Sequence, residues 1–220
     1  MGNELHIKAE QARENGDFLE SLVLCDEATV EYVKEGNTQK LAEVQASRAL
    51  SFRHLAAQTE NKNFLILAKY AAKAGIKIIG KSDNKNGIAL PLYTLAKVLI
   101  DLEKFDKAQE KIKEALEAGD ETINQATIAE MKTRLAALEY RLGVDGAESA
   151  FSSALSELES EDIDEYTKKV WISGAYLHMA EAKLARQENA DELLAKAAEI
   201  INTDDRLKIR HDQLTKLQNS

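Results

Sequence analysis

Apolar residues along this chain recur at intervals of three and four, and none of its segments alternates apolar with polar over more than four residues. Such spacing gathers the apolar set on one side of a 3.6-residue helix, so the pattern predicts helices throughout. Turn residues divide them. Residues 4–15 form the first helix, closed by Asn15-Gly16-Asp17, and Leu19 to about Glu35 the second, stopped by Gly36-Asn37. Lys40 to about Gln58 and Phe64 to Ile79 flank a longer loop at Glu60-Asn61-Lys62-Asn63, and Gly80-Lys81-Ser82-Asp83-Asn84 breaks the chain after them. Ile88 to Leu102 carries Pro91 near its start, where a missing N–H costs least, and Phe105 to Ala118 answers it up to Gly119-Asp120. Thr122 to Leu142 and Asp145 to Leu158 turn around Gly143. Asp164 to Arg186 and Ala190 to Ile201 follow, and Leu207 to Leu217 is left as a lone last helix.

A second, slower rhythm lies over the first. Pairs of residues seven apart return about every forty residues: Ser21/Ala28, Leu67/Ala74, Ala108/Ala115, Ala147/Ala154 and Ala190/Ala197. All are small except Leu67. Phe18, Phe64 and Phe105 each stand three residues before the first member of a pair, and Val144 takes that place in the fourth. A fixed period of this length marks a stacked array, in which one two-helix unit cannot bury its apolar face alone. The expected architecture is all-α, a helical-repeat solenoid of about five antiparallel helix pairs plus a C-terminal capping helix. The whole chain, 1–220, reads as one array with units near 1–37, 38–84, 85–124, 125–163 and 164–205, and the terminal helix at 206–218.

The third unit shows the motif most fully. Leu92, Leu95, Ala96 and Leu99 make one face of its first helix, and Phe105, Ala108, Ile112 and Ala115 face it from the second. The fourth unit repeats it with Ala147, Phe151, Ala154 and Leu155, and the first with Gly16-Asp17-Phe18, Ser21 and Ala28. On these residues the chain resembles the tetratricopeptide repeat (TPR) family, in a longer-helix variant of about forty residues per unit. The second unit departs from the pattern at Leu67, and the proline that usually closes each unit is absent. The resemblance implies a right-handed α-α superhelix whose first helices line a concave groove. It implies a peptide or helix of a partner protein as the occupant, with Tyr93 and Lys97 of the third unit and Lys132 and Tyr140 of the fourth projecting into it.

Composition narrows the function. A net charge of -9 argues against a general nucleic-acid binder, which needs a clustered basic surface. Lone Cys25 allows no intramolecular disulfide and fits a reducing compartment, as a small buried side chain. No stretch approaches the roughly 20 apolar residues of a membrane span, and the start, Met1-Gly2-Asn3-Glu4, has no apolar signal core. These features lead us to expect a cytoplasmic protein with no membrane partner.

Nothing in the residues favours catalysis. His6, His54, His178 and His211 fall on separate helices without a second ligand at i+3 or i+4, and there is no phosphate-cradling glycine loop. We therefore expect no enzyme activity, metal or cofactor. Two charge features stand out. Lys69, Lys73, Lys77 and Lys81 form one stripe, although like charges at i, i+4 cost a helix a few tenths of a kcal/mol per pair. Glu157, Glu159, Glu161, Asp162, Asp164 and Glu165 crowd six carboxylates into nine residues. Each is either a solvated surface or a docking patch, the stripe for an acidic partner and the cluster for a basic one or for the lysine stripe of a second copy. Trp171 and Tyr176 read as core beneath the terminal cap. The expectation is a non-catalytic adaptor or scaffold for another protein. A peptide-responsive regulatory sensor, or a self-associating structural repeat, is the alternative.

Overall fold

Each apolar period becomes a helix. The computed structural model describes residues 1–82, 85–119 and 123–219, and among them all regular structure is helical. The helices are α1 (Gly2–Glu14), α2 (Phe18–Lys34), α3 (Thr38–Thr59), α4 (Asn63–Gly80), α5 (Ala89–Asp101), α6 (Phe105–Glu117), α7 (Gln125–Arg141), α8 (Ala147–Ser160), α9 (Glu165–Ala185), α10 (Asp191–Ile201) and α11 (Lys208–Gln218). Asp83, Asn84, Asp120 and Thr122, placed by the sequence pattern at the second break, the end of the sixth helix and the start of the seventh, lie outside the described residues.

Side-chain caps set several starts. Asn37 accepts from Lys40 N–H at 3.0 Å, Asn124 from Thr127 N–H at 2.8 Å and Asp164 from Thr167 N–H at 2.9 Å, each satisfying a donor that the first turn leaves free. The Asp164 carboxyl lies below its ordinary pKa because Thr167, through its side chain first and its backbone N–H second, bonds the charged form. The turn after α1 passes through Gly16 at φ 88 and the turn after α7 through Gly143 at φ 76, a conformation that costs other residues more.

The helices gather into two compact units, Met1–Ile123 and Asn124–Ser220. In the first, α1/α2, α3/α4 and α5/α6 pack as pairs, and α3 also packs directly on α5. Ala9, Cys25, Ala28, Tyr32 and Val44 form the core where α1, α2 and α3 meet. Burial pushes the Cys25 thiol up to about 11, so it stays protonated at neutral pH. Phe18 stacks on His54 and Phe64 on Phe52, so both aromatics pack on α3. In the second unit, α7/α8 and α9/α10 are the pairs and α7 lies against α9. Ala136, Ala137, Phe151, Leu155, Ala175, Met179 and Ala182 fill the space between them. Leu207 and Leu214 close the α9/α10 pair, joined by Leu177, Leu194 and Ile201. Arg210 of α11 donates to Val170 O at 3.0 Å across Gly174. Tyr176 packs against both clusters, whereas Trp171 is half-buried and belongs to neither.

The second pair corrects the register read from the seven-residue rhythm. Leu67 is exposed and Ala74 only partly covered, while Ala68 and Gly75, one residue further on, are buried. The reason is steric. At Gly75 an added Cβ would stand 2.9 Å from Ala42 O and 3.3 Å from Cβ and Cγ of Pro91, so α3, α4 and α5 converge where only hydrogen fits. Leu65 is buried three residues before Ala68, in the place assigned to Phe64.

His6 is buried beneath α2 and α3, with Ser47 Oγ 2.8 Å from Nε2 and the Tyr32 hydroxyl 3.5 Å from Nδ1. Burial lowers its pKa more than Glu10 and Glu43 raise it, so the ring is neutral in the fold.

Gly75→Ala should lower stability by about 1–3 kcal/mol in denaturant unfolding, despite alanine's better helix propensity. Gly80→Ala, with nothing within 4 Å of its Cβ, should be neutral or stabilising. The neutral His6 contributes stability that is fully present above its unfolded pKa of about 6.5 and is lost as pH falls through the lower folded value. Wild type should therefore lose more stability than His6→Asn between about pH 7.5 and 5, and equal losses would remove His6 as the cause.

Candidate functional site

In both units the first helices of successive pairs touch, α3 on α5 and α7 on α9, more extensively than any two second helices do. First helices therefore form the inner side of each unit and second helices the outer side. On the inner side of the first unit, Arg53 of α3 holds Asp101 of α5 through two N–H groups, the Nη2 contact being 3.1 Å. A bidentate pair of this kind fixes orientation as well as adding energy. On the second, Arg134 and Glu130 of α7 are buried, and Arg134 reaches His178 of α9.

The four residues expected to meet a partner occupy different environments. Tyr93 is only 2% exposed, and Lys97 Nζ lies 4.1 Å from its ring centroid. Lys97 is therefore the reachable member, stationed by a cation–π contact one turn along α5. Lys132 is half-exposed and pairs with Glu157 of α8 at 2.6 Å. Tyr140 sits at the end of α7 with Lys183 and Arg186 of α9's C-terminal end over its ring, at 5.4 and 5.0 Å. Its hydroxyl donates to Glu188, which raises the Tyr140 pKa and lowers that of Glu188. Lys183 is itself held by Glu148 at 2.7 Å. The second unit thus brings two cations, two carboxylates and one aromatic ring together. Lys183, Arg186 and Glu188 went unnoticed in the sequence because their only link to Tyr140 is the packing of α9 on α7.

The acidic cluster is largely used within the chain. Glu157 pairs with Lys132, Glu165 with Lys169 at 2.9 Å, Glu159 accepts from Tyr176 at 3.5 Å, and Asp164 caps α9. Asp162 is exposed and Glu161 partly covered, its backbone oxygen bound by Lys168 at 3.0 Å. The lysine stripe differs. Lys73 and Lys77 stand exposed on α4 and Lys81 at its C-terminal cap, Lys69 rests 5.2 Å from the Tyr70 ring centroid, and none has a carboxylate within 4.0 Å among the described residues.

Among the described residues no helix is long and apolar enough to cross a membrane. No family model matches the sequence. No curated protein matches it either. Solved structures do. Two crystal structures described as Podosopora anserina kinesin light chain nearly identical TPR-like repeats align with TM-scores of 0.58 and 0.57, each at 14% identity. The first alignment covers 91% of this chain and 94% of that one, and the second 92% and 96%. Identity so low carries the fold and nothing finer. Paired antiparallel helices, inner helix-on-helix contacts and this likeness together make the chain a TPR-like helical repeat.

Proposed function

We propose that the chain is a non-catalytic adaptor or scaffold that receives a peptide or helix of a partner protein on the inner side of its helix pairs. The observation that supports this most is the direct packing of α3 on α5 and of α7 on α9. Such packing makes a continuous floor of first helices in each unit, with long polar side chains standing over it. Extended peptides and amphipathic helices bind surfaces of this kind by laying apolar anchors between the helices and polar groups at the rim.

Lys97 is the rim cation of this reading in the first unit and Lys132 in the second, with Tyr93 and Tyr140 the rings beside the partner in each. Tyr93 acts as a platform under Lys97 rather than as an inserted anchor, because its ring is already covered. Lys132 must exchange Glu157 for a carboxylate of the partner, an exchange between exposed ion pairs that costs little.

The test is capture from native lysate with wild type and with Lys97→Ala/Lys132→Ala, which leaves both rings in place. A protein held by wild type should bind the double variant at least about tenfold more weakly, with helicity by circular dichroism unchanged. Equal retention by both forms would remove each lysine from the binding surface of its own unit.

A further inference from the structure

The outer side of the first unit carries two unpartnered helix faces of opposite character. On α2, Leu19, Val23, Val30 and Val33 are exposed by 67, 53, 53 and 61%. With Asp26 they fall at alternating steps of four and three, the spacing of a coiled-coil seam, with valines at one recurring position. Glu20 and Glu27 border this seam, and Asp26 within it is drawn toward Arg48 of α3 at 2.9 Å. A row of four large aliphatics left in water along one helix is more than scattered surface exposure.

On α4, Ile66, Leu67 and Tyr70 are exposed by 43, 46 and 61%. Leu67, Tyr70, Ala74, Lys77 and Lys81 repeat the same alternating three and four steps, and Lys73 borders them. The apolar half of this face is thus followed by a cationic half. Six lysines and a single carboxylate, Asp83, fall in the segment from Lys62 through Lys85 in a chain of net charge -9. The two helices have nearly equal length, 17 and 18 residues, so the seams match in extent as well as in charge.

We propose that the α2 seam of one copy packs on the α4 face of a second copy, pairing the chain with itself through the outside of its first unit. Leu19, Val23, Val30 and Val33 then meet Ile66, Leu67, Tyr70 and the lysine stems, while Glu20 and Glu27 face Lys73 and Lys77. Packing α2 on the α2 of another copy would set Asp26 and Glu27 against their own likenesses, a like-charge arrangement that α4 avoids. Because one unit carries both faces, a two-fold pairing uses each of them twice and closes as a dimer. The contact is separate from the inner side, so it stands or falls independently of peptide binding.

Sedimentation velocity at about 50 µM protein and low salt should show a dimer that weakens as salt rises. Lys73→Glu/Lys77→Glu and Glu20→Lys/Glu27→Lys should each weaken it at least about tenfold, and mixing the two variants should restore a heterodimer, because the first then carries two acidic faces and the second two basic ones, so both contacts of the two-fold pair are complementary. Lys97→Ala/Lys132→Ala should leave the dimer intact. A monomer at every concentration overturns the proposal and assigns both seams to other proteins. A dimer indifferent to the lysine changes overturns the α2–α4 pairing.

Discussion

The close approach of neighbouring helices at small residues is the constraint on which the rest of this structure depends. Ala28, Ala68, Gly75, Ala115, Ala154 and Ala197 are buried where helices meet, and at Gly75 even a methyl group has no room. With aromatics at 5% of the chain, large rings cannot fill the space between layers. Dispersion contacts between closely spaced backbones and Ala or Leu side chains must supply the cohesion instead. Short interhelical distances also bring first helices into mutual contact, which is what gives each unit an inner and an outer side.

Polar groups within this tight packing are arranged to make one register cheaper than its neighbours. Ser21 and Ser51 share a hydrogen bond of 2.8 Å between α2 and α3, and His6 is held by Ser47 and Tyr32. Arg134 brings Glu130 and His178 together between α7 and α9. Sliding either helix by one residue would break these bonds inside a low-dielectric space, where an unmade hydrogen bond costs about 1–3 kcal/mol. Alanine-rich faces alone would discriminate poorly between registers, since one alanine packs much like the next. The buried polar contacts supply that discrimination.

Surface charge divides in the same way between groups that serve the fold and groups that do not. Glu157, Glu165, Asp164 and Glu148 all hold partners or caps within their own unit. Among the described residues Lys73 and Lys77 on α4 and Lys81 at its C-terminal cap do not, and the α4 pair shares its helix with exposed apolar side chains. A helix that tolerates repeated like charges beside bare Leu67 and Tyr70 gives up intrinsic stability that an alternating pattern would have kept. The carboxylates of α2's outer face provide the opposite charge on the same unit.

Helix content, the pairing of helices and the capping role of the last helix were legible in the chain by itself. A 3.6-residue period and its glycine and asparagine punctuation are local properties, and every helix follows from them within a few residues of its observed ends. The small-residue rhythm was legible too, except in the second unit, where Leu67 and Ala74 imitate a pair one residue before Ala68 and Gly75. Only the convergence of α3, α4 and α5 on Gly75 decides between the two, because both fit a helix equally well and differ only in which face meets its neighbours. The candidate site was less legible for the same reason. Tyr93 carries the residue type of an interface anchor, yet its burial is set by what packs over it. Lys183, Arg186 and Glu188 gather at Tyr140 from some forty residues away. Periodicity determines which residues share a helix face, whereas tertiary packing decides which faces are covered, since burial depends on neighbours that no local spacing can encode.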